Sequence, residues 1–175
     1  IEFFDKLAYH ESTDNYRLVN KGSKYMGRYQ VDTELMSDLK WYENGEFIKE
    51  AKGKWNLNSK KDFLESPGAQ DDLIMKSMSE RWKNLDKYLK NRVQKGILDY
   101  VCKEIFISSG VQFVTPGGKP LSAEKIKKVY QNKKNKELGD IRGKKFLVTI
   151  SGLLVGAHLT GQGGMGRLLI SDGKE

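Results

Sequence analysis

The sequence has 175 residues, 38% hydrophobic and 31% charged, with a net charge of +8 and a pI near 9.4. That is enough apolar material for a real core, and no apolar run approaches the roughly 20 residues needed to span a bilayer. With Cys102 as its only cysteine, the sequence excludes an internal disulfide and a cysteine-based metal site.

The first segment, IEFFDKLAYHES, places Phe4, Leu7, Ala8 and Glu11 at i, i+3, i+4 and i+7, one face of a helix. Residues 14–24 read as loop. A second helix is expected from Asp32 to about Tyr42, with Leu35, Met36 and Leu39 inward, and ENGEF reads as a turn. Residues 49–67 are polar, with Trp55, Leu57 and Phe63 as anchors. The stretch AQDDLIMKSMSERWKNLDKYLK is the clearest helix, its Ile74, Met78, Trp82, Leu85 and Leu89 following steps of four, four, three and four. Asp71 and Asp72 suit its N-terminal dipole.

A further helix is expected from Gln94 to Ser108, with Ile97, Leu98, Val101, Cys102, Ile105 and Phe106 on one face and Cys102 as a small core residue. VQFVTPGGKPLS reads as loop. Ser122 is placed to cap a helix from Ala123 to about Asn132, and a Lys-rich stretch follows. FLVTISGLLVGAHLTG admits two readings. Its first part is β-branched and suits a strand, whereas Thr149 or Ser151 can cap a helix burying Leu153, Leu154, Ala157 and His158. A last short helix holds Met165, Leu168 and Leu169. The expectation is one domain over residues 1–175, mainly α with at most a small β-hairpin. The start at Ile1 without a signal peptide reads as a piece of a longer chain.

Three motifs carry candidate chemistry. GQGGMG places Gly161, Gly163 and Gly166 in a G-x-G-x-x-G spacing, but a dinucleotide fingerprint needs a preceding strand and a βαβ unit. A glycine-rich turn between close-packed helices is the expected reading. His10 and His158 show no metal-ligand spacing, so no metal is expected. The basic run from Lys125 to Lys145 holds few aromatic residues and lacks the stacking signature of single-strand binding, so no specific nucleic acid is expected. Glu11 stands at the end of the first apolar stripe. Partial desolvation there disfavours its charged form, which suits a proton donor; the alternative is a helix-ending glutamate bonded to loop amides.

The pair Glu11-Ser12, the loop residues Asn15 and Asn20, the turn Gly27-Arg28-Tyr29-Gln30 and the stretch AHLTGQGG from Ala157 to Gly164 stand in the same order as in lysozyme-like lytic transglycosylases and goose-type lysozymes, which this chain resembles. His158 and Leu159 replace the usual Tyr-Asn, and SGLLVGAHLTGQGG is closer to a phage and secretion-effector branch of that superfamily. The resemblance implies a lysozyme-like helical fold that cleaves the β-1,4 bond between N-acetylmuramic acid and N-acetylglucosamine in peptidoglycan. Glu11 would be the general acid and then the base. Ser12, Tyr29, Gln30, Ala157, His158 and Gly161 would contact substrate, without a cofactor. A hydrolytic muramidase would need a second carboxylate, for which Asp32 and Asp14 are nearest in sequence. The same resemblance implies action in the periplasm or cell wall after delivery by a larger protein, a phage particle or a secretion system. Peptidoglycan is the partner and an inhibitor or immunity protein a further candidate, with no membrane insertion. The rival from another class is a non-catalytic basic module that binds cell wall or nucleic acid.

Overall fold

In the computed structural model, residues 2–20, 22, 24–110, 119–131 and 141–174 are described. The protein is mainly α, 57% helical, with seven helices and two small antiparallel sheets among the described residues. The packing divides into two compact units, residues 1–79 and 80–175, with the boundary inside helix α5.

The first unit opens with α1 (Glu2–Ser12), which buries Leu7 and Ala8 as the apolar spacing predicts. A loop with antiparallel bridges from Met26 to Val19 and to Val31 leads to α2 (Thr33–Asp38). Next comes the hairpin β1 (Tyr42–Glu43) and β2 (Glu46–Phe47), in which Tyr42 pairs with Phe47. Asn44 and Gly45 both have positive φ, 51° and 87°, as a tight two-residue hairpin turn requires. The polar stretch that follows holds α3 (Lys49–Trp55) and α4 (Lys60–Leu64), whose loop and face supply the fully buried Leu57 and Phe63. Trp55 is only half-buried.

Helix α5 (Pro67–Val93) is longer than the expected segment at both ends. Because it starts at Pro67, Asp71 and Asp72 lie beyond its first turn and do not serve the helix dipole. Asp71 meets Arg28 instead, and Asp72 accepts from Lys54 and from the Trp55 indole. The N-terminal stripe buries Ala69, Leu73, Ile74 and Met78 within the first unit.

The second unit holds the C-terminal part of α5, where Leu85 and Leu89 are buried and Trp82 partly so. The helix expected over 94–108 is absent. A 3-10 turn (Ile97–Asp99) is fixed by the Ile97 N–H bonding to Asp86 and the Gly96 N–H to Asp99, and strand β3 (Glu104–Phe106) follows. Cys102 lies in the left-handed region, φ 65°, and is exposed, so it is not a core residue. The apolar positions 97, 101 and 105 fit helical steps, but Ile105 and Ile107 alternate inward as in a strand. β3 pairs with β4 (Lys145–Leu147), Ile105 facing Phe146, so the strand reading of FLV holds.

Between them lies α6 (Ala123–Gln131), whose Lys125 N–H is accepted by Ser122. Residues 111–118 and 132–140, which include most of the proline loop and of the Lys-rich stretch, lie outside the described residues. The last helix, α7 (Ile150–Ile170), is capped by Thr149, which accepts the Gly152 N–H at 3.0 Å. It breaks at Gly161, φ 70° and ψ 169°, so the two expected helices are two halves across a kink. Leu85, Leu89, Ile97, Ile105, Val148, Leu153, Ala157, Met165 and Leu169 form the core of this unit. Burying each large aliphatic side chain is worth about 1.5–3 kcal/mol.

Candidate functional site

Glu11 occupies the last turn of α1 and is half-buried, three and four residues beyond the buried Ala8 and Leu7. Ser12, beside it, is buried. Its hydroxyl donates to the Arg28 carbonyl at 2.7 Å and shares a longer contact with the Ala8 carbonyl, 3.3 Å; its oxygen accepts the Asn15 N–H at 2.9 Å. The helix end is therefore tied to the 27–30 turn through the residue adjacent to Glu11. The chain leaves α1 through Thr13 and Asp14, both with positive φ, 54° and 64°. Such backbone is sparsely populated for a β-branched residue and persists where surrounding bonds hold it.

The turn itself is built from backbone pairs. Met26 and Val31 exchange hydrogen bonds of 2.9 and 3.0 Å, and the Gly27 N–H reaches the Leu18 carbonyl at 2.7 Å. Gly27 has φ 78°, and a Cβ there would collide with the Gln70 side-chain amide. Gln70 is buried and fully used: its oxygen accepts the Arg28 N–H at 2.8 Å, and its nitrogen donates to the Tyr16 and Phe63 carbonyls at 3.0 and 2.9 Å. Gln30 is half-buried, and its side chain closes the same turn, donating to the Gly27 carbonyl at 2.9 Å and accepting from Asn20 at 2.6 Å.

Arg28 is the charged centre of this unit. Its buried guanidinium donates to Asp14 at 2.6 Å, Asp5 at 2.7 Å, the Tyr29 hydroxyl at 2.8 Å and Asp71 at 3.1 Å. The rings of Tyr16 and Tyr29 lie 4.9 and 5.2 Å from its central carbon. Burial works against the charge, but the hydrogen bonds to Asp14 and Asp5 outweigh it and raise the guanidinium above its ordinary value. Tyr29 donates to Asp71 at 2.9 Å; burial, then that bond, pushes its phenol up.

The sequence candidates fare differently. Tyr29 is buried, 3% exposed, so its ring faces the interior rather than a sugar. Asp14 is engaged by Arg28. Asp32 is the N-cap of α2, accepting the Leu35 N–H at 2.9 Å and the Lys24 ammonium at 2.9 Å. Burial raises its carboxyl, but those two partners more than offset this and hold it below the usual carboxylate range. Glu11, Ser12, Asp14, Tyr29, Gln30 and Asp32 all belong to the first unit, whereas Ala157, His158 and Gly161 lie on α7 of the second. Ala157 is buried in that unit's core, so its side chain is not free for substrate. His158 is half-buried, and its Nδ1 has no hydrogen-bond partner among the described residues; burial, then Arg81, lowers its pKa. Gly161 makes the kink, and Gly163 and Gly166 are helical, so GQGGMG is not a strand–turn–helix fingerprint.

Sequence reasoning missed Gln70, Asp5 and Tyr16 as partners of the turn. A signal existed for Gln70: it sits four residues before Ile74 on the buried stripe of α5, where a polar side chain needs bonding partners.

A shallow depression on the outer side of α1 is lined by Glu2, Asp5, Lys6, Tyr9 and His10. Among the described residues no cluster of three or more His, Cys, Asp or Glu could hold a metal ion, and no helix is long and apolar enough to cross a membrane. The fold and site together define a mainly α protein with a carboxylate at a pinned helix end. No family model, curated protein or solved structure matches the chain.

Proposed function

We propose that this protein cleaves peptidoglycan glycan strands at the N-acetylmuramic acid–N-acetylglucosamine β-1,4 bond, in the manner of a lytic transglycosylase, with Glu11 as the acid. The observation that carries the reading is the placement of Glu11: half-buried, in a helix end held by Ser12 against the Gly27–Gln30 turn. A partly shielded carboxyl on a backbone held in place suits protonation of a glycosidic oxygen. As the bond breaks and positive charge grows on the muramic ring, Glu11 gives up its proton to the leaving oxygen. The carboxylate then takes the proton of the muramic 6-hydroxyl as that oxygen attacks the anomeric carbon. No water is consumed, and a 1,6-anhydro end forms.

The commitments of Asp14 and Asp32 favour this route over a muramidase. Asp14 is paired with Arg28 and Asp32 with a helix end and Lys24, so each carboxylate already serves a structural partner. Charge supports an anionic polymer as partner. Residues 1–79 hold 12 Lys and Arg against 14 Asp and Glu, whereas residues 80–175 hold 19 against 9, a net of −2 and +10. The whole positive excess thus belongs to the second unit, which suits the carboxylates of the wall. On this reading the protein acts in the periplasm or cell wall.

Glu11→Gln keeps the shape and removes the proton. The expected result is a folded variant that no longer releases material from purified sacculi; a variant as fast as the parent overturns the assignment. Retention of DNA at physiological salt together with an inert parent enzyme would instead favour a binding module.

A further inference from the structure

We propose that Arg28 is the positioning residue of the site: it sets where Glu11 stands, acting through the first half of α1 and the loop that follows it rather than on the substrate. The proposal rests on the reading of Glu11 as the acid. Asp5 belongs to the first half of α1, and Asp14 follows its end by two residues, yet one guanidinium bonds to both, at 2.7 and 2.6 Å. That is geometrically feasible because the consecutive left-handed residues Thr13 and Asp14 fold the chain back after Ser12. The third carboxylate, Asp71, ties the same guanidinium to α5 at 3.1 Å.

The main chain of Arg28 completes the clamp. Its carbonyl receives the Ser12 hydroxyl, and its N–H is held by Gln70. Glu11 therefore sits in a helix whose first half, last residue and following loop all bond to one buried side chain and its own peptide groups. A planar fork with several fixed donors can serve Asp5, Asp14, Asp71 and Tyr29 at once, whereas a lysine ammonium presents a single point with three donors. Displacement of a catalytic group by about 1 Å is enough to cost on the order of 100-fold in rate.

The test compares Arg28→Lys with the parent on a soluble peptidoglycan oligomer, with kcat and KM measured well below the melting temperature. The expected result is a kcat about 10- to 100-fold lower with KM changed by less than about 3-fold, because binding groups are left in place while the acid is displaced. Hydrogen exchange should rise at the amides of residues 12–15, which the clamp holds. An equal kcat per folded molecule, with only a lower melting temperature, overturns the proposal and leaves Arg28 a stability residue. If Arg28→Lys does not fold, Asp14→Asn, a half-exposed partner of the same guanidinium, decides on the same two readouts. Glu11→Gln is run alongside. If it stays active, the acid assignment falls; if it is inert while both clamp variants match the parent, only the positioning role falls.

Discussion

Replacing Gly27 by alanine is expected to destabilise the first unit far more than the same change at Gly45. Both glycines have positive φ, 78° and 87°, so each substitution carries the left-handed penalty of about 1–2 kcal/mol. At Gly45 the new methyl meets open space. At Gly27 it overlaps the Gln70 amide, which is buried and cannot move without releasing the Arg28 N–H and the Tyr16 and Phe63 carbonyls. A tilt of the amide that leaves one of these groups without a partner costs about 1–3 kcal/mol, so the total at Gly27 is about 2–5 kcal/mol. Urea unfolding followed by tryptophan fluorescence should show a midpoint shift exceeding that of Gly45→Ala by about 0.5–1.5 M, for a slope of about 2 kcal/mol/M. In a Gln70→Ala background the extra cost of Gly27→Ala should fall to the Gly45 level. Equal midpoints for Gly27→Ala and Gly45→Ala would refute the claim that the turn is locked against Gln70.

Two further expectations follow from the charged and titratable groups. Asp32→Ala removes the α2 cap and the Lys24 partner and should lower stability by about 1 kcal/mol in urea unfolding at pH 7, with wall-clearing activity retained if Asp32 is structural. The loss should shrink as pH falls below the ordinary carboxylate range, because a carboxyl with a lowered native pKa stabilises the fold only above it. His158 has the opposite charge sign and a lowered native pKa, so the fold prefers it neutral. Its contribution is present above its ordinary value of about 6.5 and is lost as pH falls from there through its lowered native value. The urea midpoint should therefore drop between pH 7.5 and 5, and His158→Gln should flatten that drop; an unchanged slope would contradict the burial argument.

Much of the fold was readable because local chemistry and tertiary structure agree. The Ile74–Leu89 stripe, the Asn44-Gly45 turn and the Thr149 cap each carry their own signal within a few residues. The stretch after Gln94 misled because positions 97, 101 and 105 satisfy a helical period while the partner that makes 104–106 a strand, residues 145–147, lies about 40 residues away. Cys102 illustrates the same failure, since its left-handed backbone is set by the turn into that strand. At the candidate site, the Glu11-Ser12 pair and the 27–30 turn were visible as short motifs. The arginine clamp was not, because its carboxylates come from positions 5, 14 and 71, and no spacing rule links them. The resemblance implies a substrate contact for Tyr29, but the ring is buried and its hydroxyl bonds to Asp71, a partner 42 residues away that no local motif signals.

Mass spectrometry of the sugars released from purified sacculi tests the central claim most directly. The account predicts muramic ends lighter by one water than reducing ends, produced by the parent and abolished in Glu11→Gln. Ordinary reducing ends would contradict the single-carboxylate mechanism, and release of either product by Glu11→Gln at the parent rate would contradict the role of Glu11 itself.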